Sequence, residues 1–186
     1  ACCPCAWRRG QPSKSLWLWS AGCATGEEPY SLGVTLLTMM PDAASHDIKI
    51  LATDIDRNAL AKARAGCYPS RALGEEVSAE QREKFFTDSP DNTVTVSEGL
   101  RKLISFKEMN FARSWPVKGP FDIVFCRNVV IYFEEDMIAK IWNGFANVMP
   151  DGARLYIGHS ERMVGKATEL FKSSGTTTYT KVSPDT

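Results

Sequence analysis

Ser20-Ala21-Gly22-Cys23-Ala24-Thr25-Gly26-Glu27-Glu28-Pro29-Tyr30 is the stretch that decides how this chain is built. The apolar run Leu16-Trp17-Leu18-Trp19 leads into it and ends at small residues, which predicts a buried strand over 16–20. Gly22 and Gly26 bracket a compact turn. Glu27-Glu28-Pro29 then opens a helix, because acids suit the positive end of a helix and proline is favoured in its first turn. Tyr30, Val34 and Leu37 continue it as a stripe at helical spacing that stops before Pro41. In an open parallel sheet a ligand binds beyond the carboxyl ends of the strands, where such a turn lies. Glycines there are expected to let a ligand approach the backbone. The spacing Gly22-x-x-x-Gly26 is neither a dinucleotide fingerprint nor a P-loop, since Ala24 interrupts the first and Glu27-Glu28 replaces the Lys-Ser/Thr of the second. Two acids at this place repel a pyrophosphate and suit a ligand that carries positive charge.

Working outward, Ile48-Lys49-Ile50-Leu51-Ala52-Thr53-Asp54 reads as a second strand. Asp56 caps a short helix that turns Leu60 and Ala63 inward and ends at Gly66. Phe121 to Cys126 is a strongly β-prone run. Ile138, Ile141, Trp142, Phe145, Val148 and Met149 make a long amphipathic stripe, broken by Pro150-Asp151-Gly152. Arg154 to Ile157 and Thr177 to Val182 are further strands. The expected fold is therefore α/β, with a mostly parallel sheet. Residues 68–108 interrupt the rhythm. Ser78-Ala79-Glu80-Gln81 fits a capping box, Thr93 to Val96 alternates like an exposed strand, and Leu103 to Phe106 is apolar. A helix and a small antiparallel β-subdomain inserted over about 68–108 are expected, within one domain over 16–186 that follows an irregular segment at 1–15.

The 186 residues are a little over one domain at about 150 residues each. Hydrophobic residues at 44% and charged residues at 24% exclude a disordered chain. No apolar run is long enough to span a membrane, so no membrane insertion is expected. Lys+Arg and Asp+Glu are both 22, which argues against a nucleic-acid partner. Cys23, Cys67 and Cys126 are scattered and read as small buried residues of a reduced, cytoplasmic protein. His46 and His159 stand alone, and no metal site is expected.

Asp54 ends the second strand, where an acid accepts hydrogen bonds from ribose hydroxyls. Asp56 suits the helix cap better, which leaves Asp54 for a ligand. A glycine turn with acids and a ribose acid together ask for a nucleoside with a cation and no phosphates. S-adenosylmethionine has that chemistry. Cys126-Arg127-Asn128-Val129-Val130-Ile131-Tyr132-Phe133 follows a later strand, where a transferase on such a sheet holds its reacting groups. It lacks the Pro-Pro of adenine-N6 methyltransferases. On the residues alone, Tyr132 is equally well a core aromatic.

Ser20 to Ser31, Ala52-Thr53-Asp54-Ile55-Asp56, Phe121 to Phe133 and Gly158-His159-Ser160-Glu161, in this order, resemble the chemotaxis receptor methyltransferases, the CheR family. The resemblance implies a Rossmann-like class I S-adenosylmethionine-dependent methyltransferase fold. It implies that glutamate side chains of methyl-accepting chemotaxis receptors become methyl esters, with S-adenosylhomocysteine as product. It assigns cofactor contacts to Ala21, Gly22, Glu28, Asp54, Ile55, Asn110, Phe111, Asn128 and Val129, and places Tyr132 near the transferred methyl. Asp54 would take the ribose, Asn110-Phe111 the adenine, and Asn128-Val129 the methionine end. Family members carry an N-terminal helical domain whose linker adds a Thr and an Arg near the methyl group, and residues 2–10 match nothing there. The loop Thr87 to Asn92 is short and lacks glycine, like members that do not depend on a receptor C-terminal pentapeptide. A monomer is expected. The alternatives are a module that binds cofactor or receptor with little turnover, and a methyltransferase acting on another substrate.

Overall fold

The computed structural model describes residues 15–183. The segment expected to be irregular at 1–15 lies, apart from Ser15, outside the described residues. The chain opens with β1 (Leu16–Ala21), α1 (Glu27–Met39), β2 (Ile48–Asp54) and α2 (Arg57–Ala65). Asp56 caps α2 by accepting from the Asn58 and Ala59 N–H groups, and Gly66 ends it in the left-handed region. Next come β3 (Cys67–Pro69), α3 (Ala79–Phe85), β4 (Phe86–Ser89), β5 (Thr93–Val96), α4 (Glu98–Lys102) and β6 (Ile104–Glu108). Ser78 and Gln81 form both halves of a capping box on α3. The last part holds β7 (Ile123–Cys126), α5 (Glu135–Val148), β8 (Arg154–Ile157), α6 (Ala167–Leu170), β9 (Phe171–Gly175) and β10 (Thr178–Lys181).

Seven strands form the main sheet in the order β6-β2-β1-β7-β8-β10-β9. The first five run parallel, and β10 runs antiparallel to both of its neighbours. A separate antiparallel sheet has the order β3-β5-β4. Of the segment 68–108, only the part up to Val96 supplies strands to that small sheet. Ile104–Glu108 pairs in parallel with Ile50–Asp54 and is the edge of the main sheet.

Alternation along β1 divides the core. Leu18 faces a cluster with Ile50, Val34, Leu37, Leu60 and Leu100, on the side of α1 and α2. Trp19 and Ala21 face the opposite cluster with Ile141, Trp142, Phe145 and Leu155, on the side of α5. Trp19 is fully buried, and its indole N–H donates to the Thr53 hydroxyl at 2.9 Å, so its one polar atom is satisfied. Cys23 and Cys126 are buried as expected, but Cys67 is exposed. On β3 the burial alternates with Tyr68 inward, which turns Cys67 to solvent.

Candidate functional site

From β1 the chain steps one way through β2 to β6, and from β7 the other way to β8. The reversal lies between β1 and β7, so the crevice at a topological switch point opens at their carboxyl ends. The turn after β1 and the loop after β7 are its two walls.

The first wall is a tightly bonded turn. Gly22, Ala24 and Gly26 all have positive φ, at 83°, 45° and 96°. The Gly22 and Cys23 N–H groups both donate to the Thr53 carbonyl, at 2.8 and 2.9 Å, which ties the turn to β2. The Tyr68 hydroxyl donates to the Thr25 carbonyl at 2.7 Å, so β3 braces the turn from outside. The close approach that Gly22 permits belongs to the opposite wall. A Cβ on Gly22 would lie 2.2 Å from Val129 Cγ2. At Gly26 a Cβ would meet Ala63 Cβ at 2.8 Å. The room that the sequence reserves for a ligand at these glycines is taken, on the Cβ side, by Val129 of the opposite wall at Gly22 and by Ala63 of α2 at Gly26.

Asp54 ends β2 in reach of this turn. One carboxylate oxygen accepts from the Ala24 N–H at 2.8 Å, the other from the Asp56 N–H at 2.9 Å. Both oxygens are thereby oriented, and each keeps a lone pair for a ligand hydroxyl. Ile55 follows, an exposed large hydrophobic at 60%. The Met109 N–H donates to the Asp54 carbonyl at 2.9 Å and brings Asn110 beside the end of β2. The Asn110 side chain accepts from the Ala112 N–H at 2.8 Å. Phe111 turns its ring toward Trp19, Trp115 and Phe145, with centroids 6.3, 5.4 and 6.0 Å away, so its side chain serves the aromatic core.

Glu28 lies in the first turn of α1 and accepts from the Ser20 hydroxyl at 2.7 Å. Burial raises its carboxyl above the ordinary range, against the opposing pull of the Ser20 hydrogen bond and the Arg127 charge. The Cys23 thiol is pushed up to about 12 by burial and by the Asp54 charge. Cys126, fully buried, is held well above the usual thiol range by burial and then by Glu161 and Glu28. Both thiols are therefore inert neutral groups. Neither Glu28 nor Asp54 enters a salt bridge among the described residues.

The second wall runs from Cys126 through Asn128, a non-glycine residue at φ 59°, to a short 3-10 turn over Val130–Tyr132. Glu161 binds this loop from behind and accepts from the Val129 and Val130 N–H groups at 2.8 and 3.0 Å. Tyr132 projects to solvent and is 81% exposed, which excludes the core-aromatic reading.

The structure thus gathers Ala21, Gly22, Glu28, Asp54, Asn128 and Val129 around the carboxyl ends of β1, β2 and β7. Ile55 and Asn110 extend the site past β2 and β6, and Tyr132 stands outside it. Reasoning from sequence missed Ser20, Tyr68, Arg127 and Glu161 as parts of the site. Ser20 and Glu161 lie within recognisable strings, at the end of β1 and just past β8, but their partners are set only by the fold.

The family model for the CheR methyltransferase, SAM binding domain, matches residues 4–180. The chain belongs to the CheR methyltransferase SAM-binding domain family. A Rhizobium etli protein named "Probable chemotaxis protein methyltransferase" is 48% identical over 165 residues, which is 87% of this chain and 61% of that protein. Chemotaxis protein methyltransferase 1 of Vibrio cholerae is 39% identical over 150 residues, 80% of this chain and 54% of its own length. The chain thus spans little more than half of these relatives. A TehB-like SAM-dependent methyltransferase from Corynebacterium glutamicum superposes with a TM-score of 0.50 at 11% identity, over 92% of this chain and 80% of that one. That similarity concerns the fold alone, a Rossmann-like S-adenosylmethionine-dependent methyltransferase.

The cofactor of the family is S-adenosylmethionine, and the donor set fits it. Glu28 in the first turn of α1 and Asp54 at the end of β2 enter no salt bridge among the described residues, and Glu27-Glu28 stands where a P-loop has Lys-Ser/Thr. An apolar side chain, Ile55, adjoins the carboxylate suited to a ribose. Such a set favours a nucleoside bearing positive charge over a nucleotide.

Proposed function

We propose that this domain transfers a methyl group from S-adenosylmethionine to glutamate side chains in the cytoplasmic part of chemotaxis receptors, forming methyl esters. The observation that carries the reading is the crevice between β1 and β7, walled by the Gly22 turn and the Asn128 loop, with Glu28 in the first turn of α1 and Asp54 at the end of β2. The receptor as substrate is supported by the names of the relatives.

In this reading Asp54, already oriented by the Ala24 and Asp56 N–H groups, accepts the ribose hydroxyls. Ile55 offers apolar surface to the adenine, beside Asn110. Glu28 and the Asn128-Val129 backbone hold the charged amino-acid end. Bound there, S-adenosylmethionine supplies an electrophilic methyl on a sulfonium. An acceptor glutamate, with an ordinary pKa near 4.3, is ionised at neutral pH, so the chain needs no general base. What its residues contribute is alignment and exclusion of water from a weak nucleophile, an effect that can supply roughly 7–11 kcal/mol. Tyr132, exposed to solvent on the loop that carries Asn128 and Val129, orients the incoming carboxylate by hydrogen bonding.

Two finer points belong to the same reading. Docking does not depend on a receptor pentapeptide, because β4 and β5 are joined tightly through Pro90, Asp91 and Asn92, with Asn92 at φ 62°. The domain acts as a monomer, which sedimentation checks. Incubation with methyl-labelled S-adenosylmethionine and receptor-bearing membranes tests the whole. Label that base releases as methanol is the expected result. Cofactor binding without ester formation contradicts the reading and favours a binding module.

A further inference from the structure

Glu161 is one of few buried charged residues, at 3% exposure. It enters no salt bridge among the described residues. A carboxylate withdrawn from water needs other compensation, and here backbone amides give it. One oxygen accepts from the Val129 and Val130 N–H groups at 2.8 and 3.0 Å, and the other accepts from the Gly158 N–H. The first two donors belong to the wall that carries Asn128 and Val129. The third belongs to the end of β8. The carboxylate therefore fastens the loop after β7 to the strand beside it.

Three details show how closely this loop is held. Asn128 sits at φ 59°, in the left-handed region, where asparagine is among the few residues besides glycine that are commonly found. Val129 reaches across the crevice to the Gly22 turn, where no Cβ fits. Gly158 has no room for a Cβ either, which would lie 2.8 Å from Glu161 Oε2 and 3.1 Å from the Asn128 nitrogen. Glu161, the Asn128-Val129 loop and the Gly22 turn are thus one chain of contacts that ends at the methionine side of the cofactor crevice. On the adenosine side, Asp54 touches the Gly22 turn through the Ala24 N–H, but its carboxylate bonds to neither Glu161 nor the Asn128-Val129 loop, and the Asn110 side chain accepts from Ala112.

We propose that Glu161 is a positioning residue for the amino-acid end of the cofactor. Its carboxylate holds the Asn128-Val129 loop in its binding shape before the cofactor arrives. The inference rests on the reading of the crevice as the S-adenosylmethionine site. Glu161→Gln is the direct probe. The amide keeps the size of the carboxylate but has only one acceptor oxygen, and its NH2 group must then face at least one N–H group. Either the loop or the end of β8 loses its anchor.

The test compares two ligands by calorimetry on wild-type and Glu161→Gln protein. S-adenosylhomocysteine has the amino-acid tail; methylthioadenosine keeps the adenosine and lacks it. The expected result is a loss of at least about tenfold for S-adenosylhomocysteine, with methylthioadenosine changed by less than about twofold. Equal losses for both ligands indicate a merely structural role and overturn the proposal, as does unchanged affinity for both. Wild-type protein that fails to bind S-adenosylhomocysteine overturns the crevice reading itself, and this inference with it. If the variant shows no cooperative melting, amide exchange on the ligand-free wild type decides. Slow exchange at Val129 and Val130 is expected, and exchange at the rate of an unstructured peptide overturns the proposal.

Discussion

Replacing Gly22 by alanine probes the joint between the two walls. The new Cβ would lie 2.2 Å from Val129 Cγ2, whereas unstrained carbon contacts lie near 3.5–4.0 Å. Val129 must therefore retreat by more than an ångström, and it cannot do so alone, because its N–H is held by Glu161. Forced overpacking of this kind costs typically about 1–3 kcal/mol. The backbone adds to it, since φ at Gly22 is 83°, and a left-handed conformation costs an L residue roughly 1–2 kcal/mol. A total of about 2–5 kcal/mol follows, which for a domain of this size lowers Tm by some 5–15 °C. Cofactor affinity falls as well, by at least about tenfold, because the displaced loop carries Asn128 and Val129. The assay is a double-mutant cycle with Val129→Ala, read by thermal melting and by S-adenosylhomocysteine binding. Removing the Val129 methyl groups relieves the overlap but leaves the backbone strain, so the pair should show a favourable coupling of about 1–3 kcal/mol. Additive losses, or wild-type binding by Gly22→Ala, would refute the claim that Gly22 exists to admit Val129.

Four further outcomes are expected. Burial raises the Glu28 carboxyl, so the empty folded protein binds this proton more tightly than the unfolded chain does, and stability falls as pH rises from the ordinary carboxylate range through the raised value; Glu28→Gln should remove that slope and melt higher than wild type without ligand at neutral pH, yet gain less from S-adenosylhomocysteine. Asp54→Ala strips the acceptor for two backbone N–H groups and for the ribose, and calorimetry should show affinity lower by about 1–3 kcal/mol; an unchanged dissociation constant would refute the ribose assignment. Tyr132→Phe should slow methyl transfer more than it weakens cofactor binding, and equal losses would remove its orienting role. Peptide mapping after alkylation of the native protein at neutral pH should find Cys67 modified and Cys23 and Cys126 protected.

What the sequence made legible was local. The caps of α2 and α3 are written in single residues, Asp56, Gly66, Ser78 and Gln81, each bonding within a few positions of itself. Strands β1 and β2 announce themselves by apolar runs, and Asp54 by its place at the end of one. Less local features did not show. Strand β9, Phe171–Gly175, is exposed beyond its first residue, so it carries no alternating pattern. Ile104–Glu108 is a strand in either sheet by composition, and only its register with Ile50–Asp54 assigns it to the main one. Glu161 meets its partners across some thirty residues of chain. Gly22 was visible as a glycine, but not the side chain that makes it one.

The central claim is that the crevice between β1 and β7 is a cofactor site completed by residues of this chain. Titration of S-adenosylhomocysteine into the protein by calorimetry tests it most directly. The account predicts saturable one-to-one binding in the micromolar range that Asp54→Ala weakens. Absence of binding by a folded protein, or binding that Asp54→Ala leaves unchanged, would contradict it.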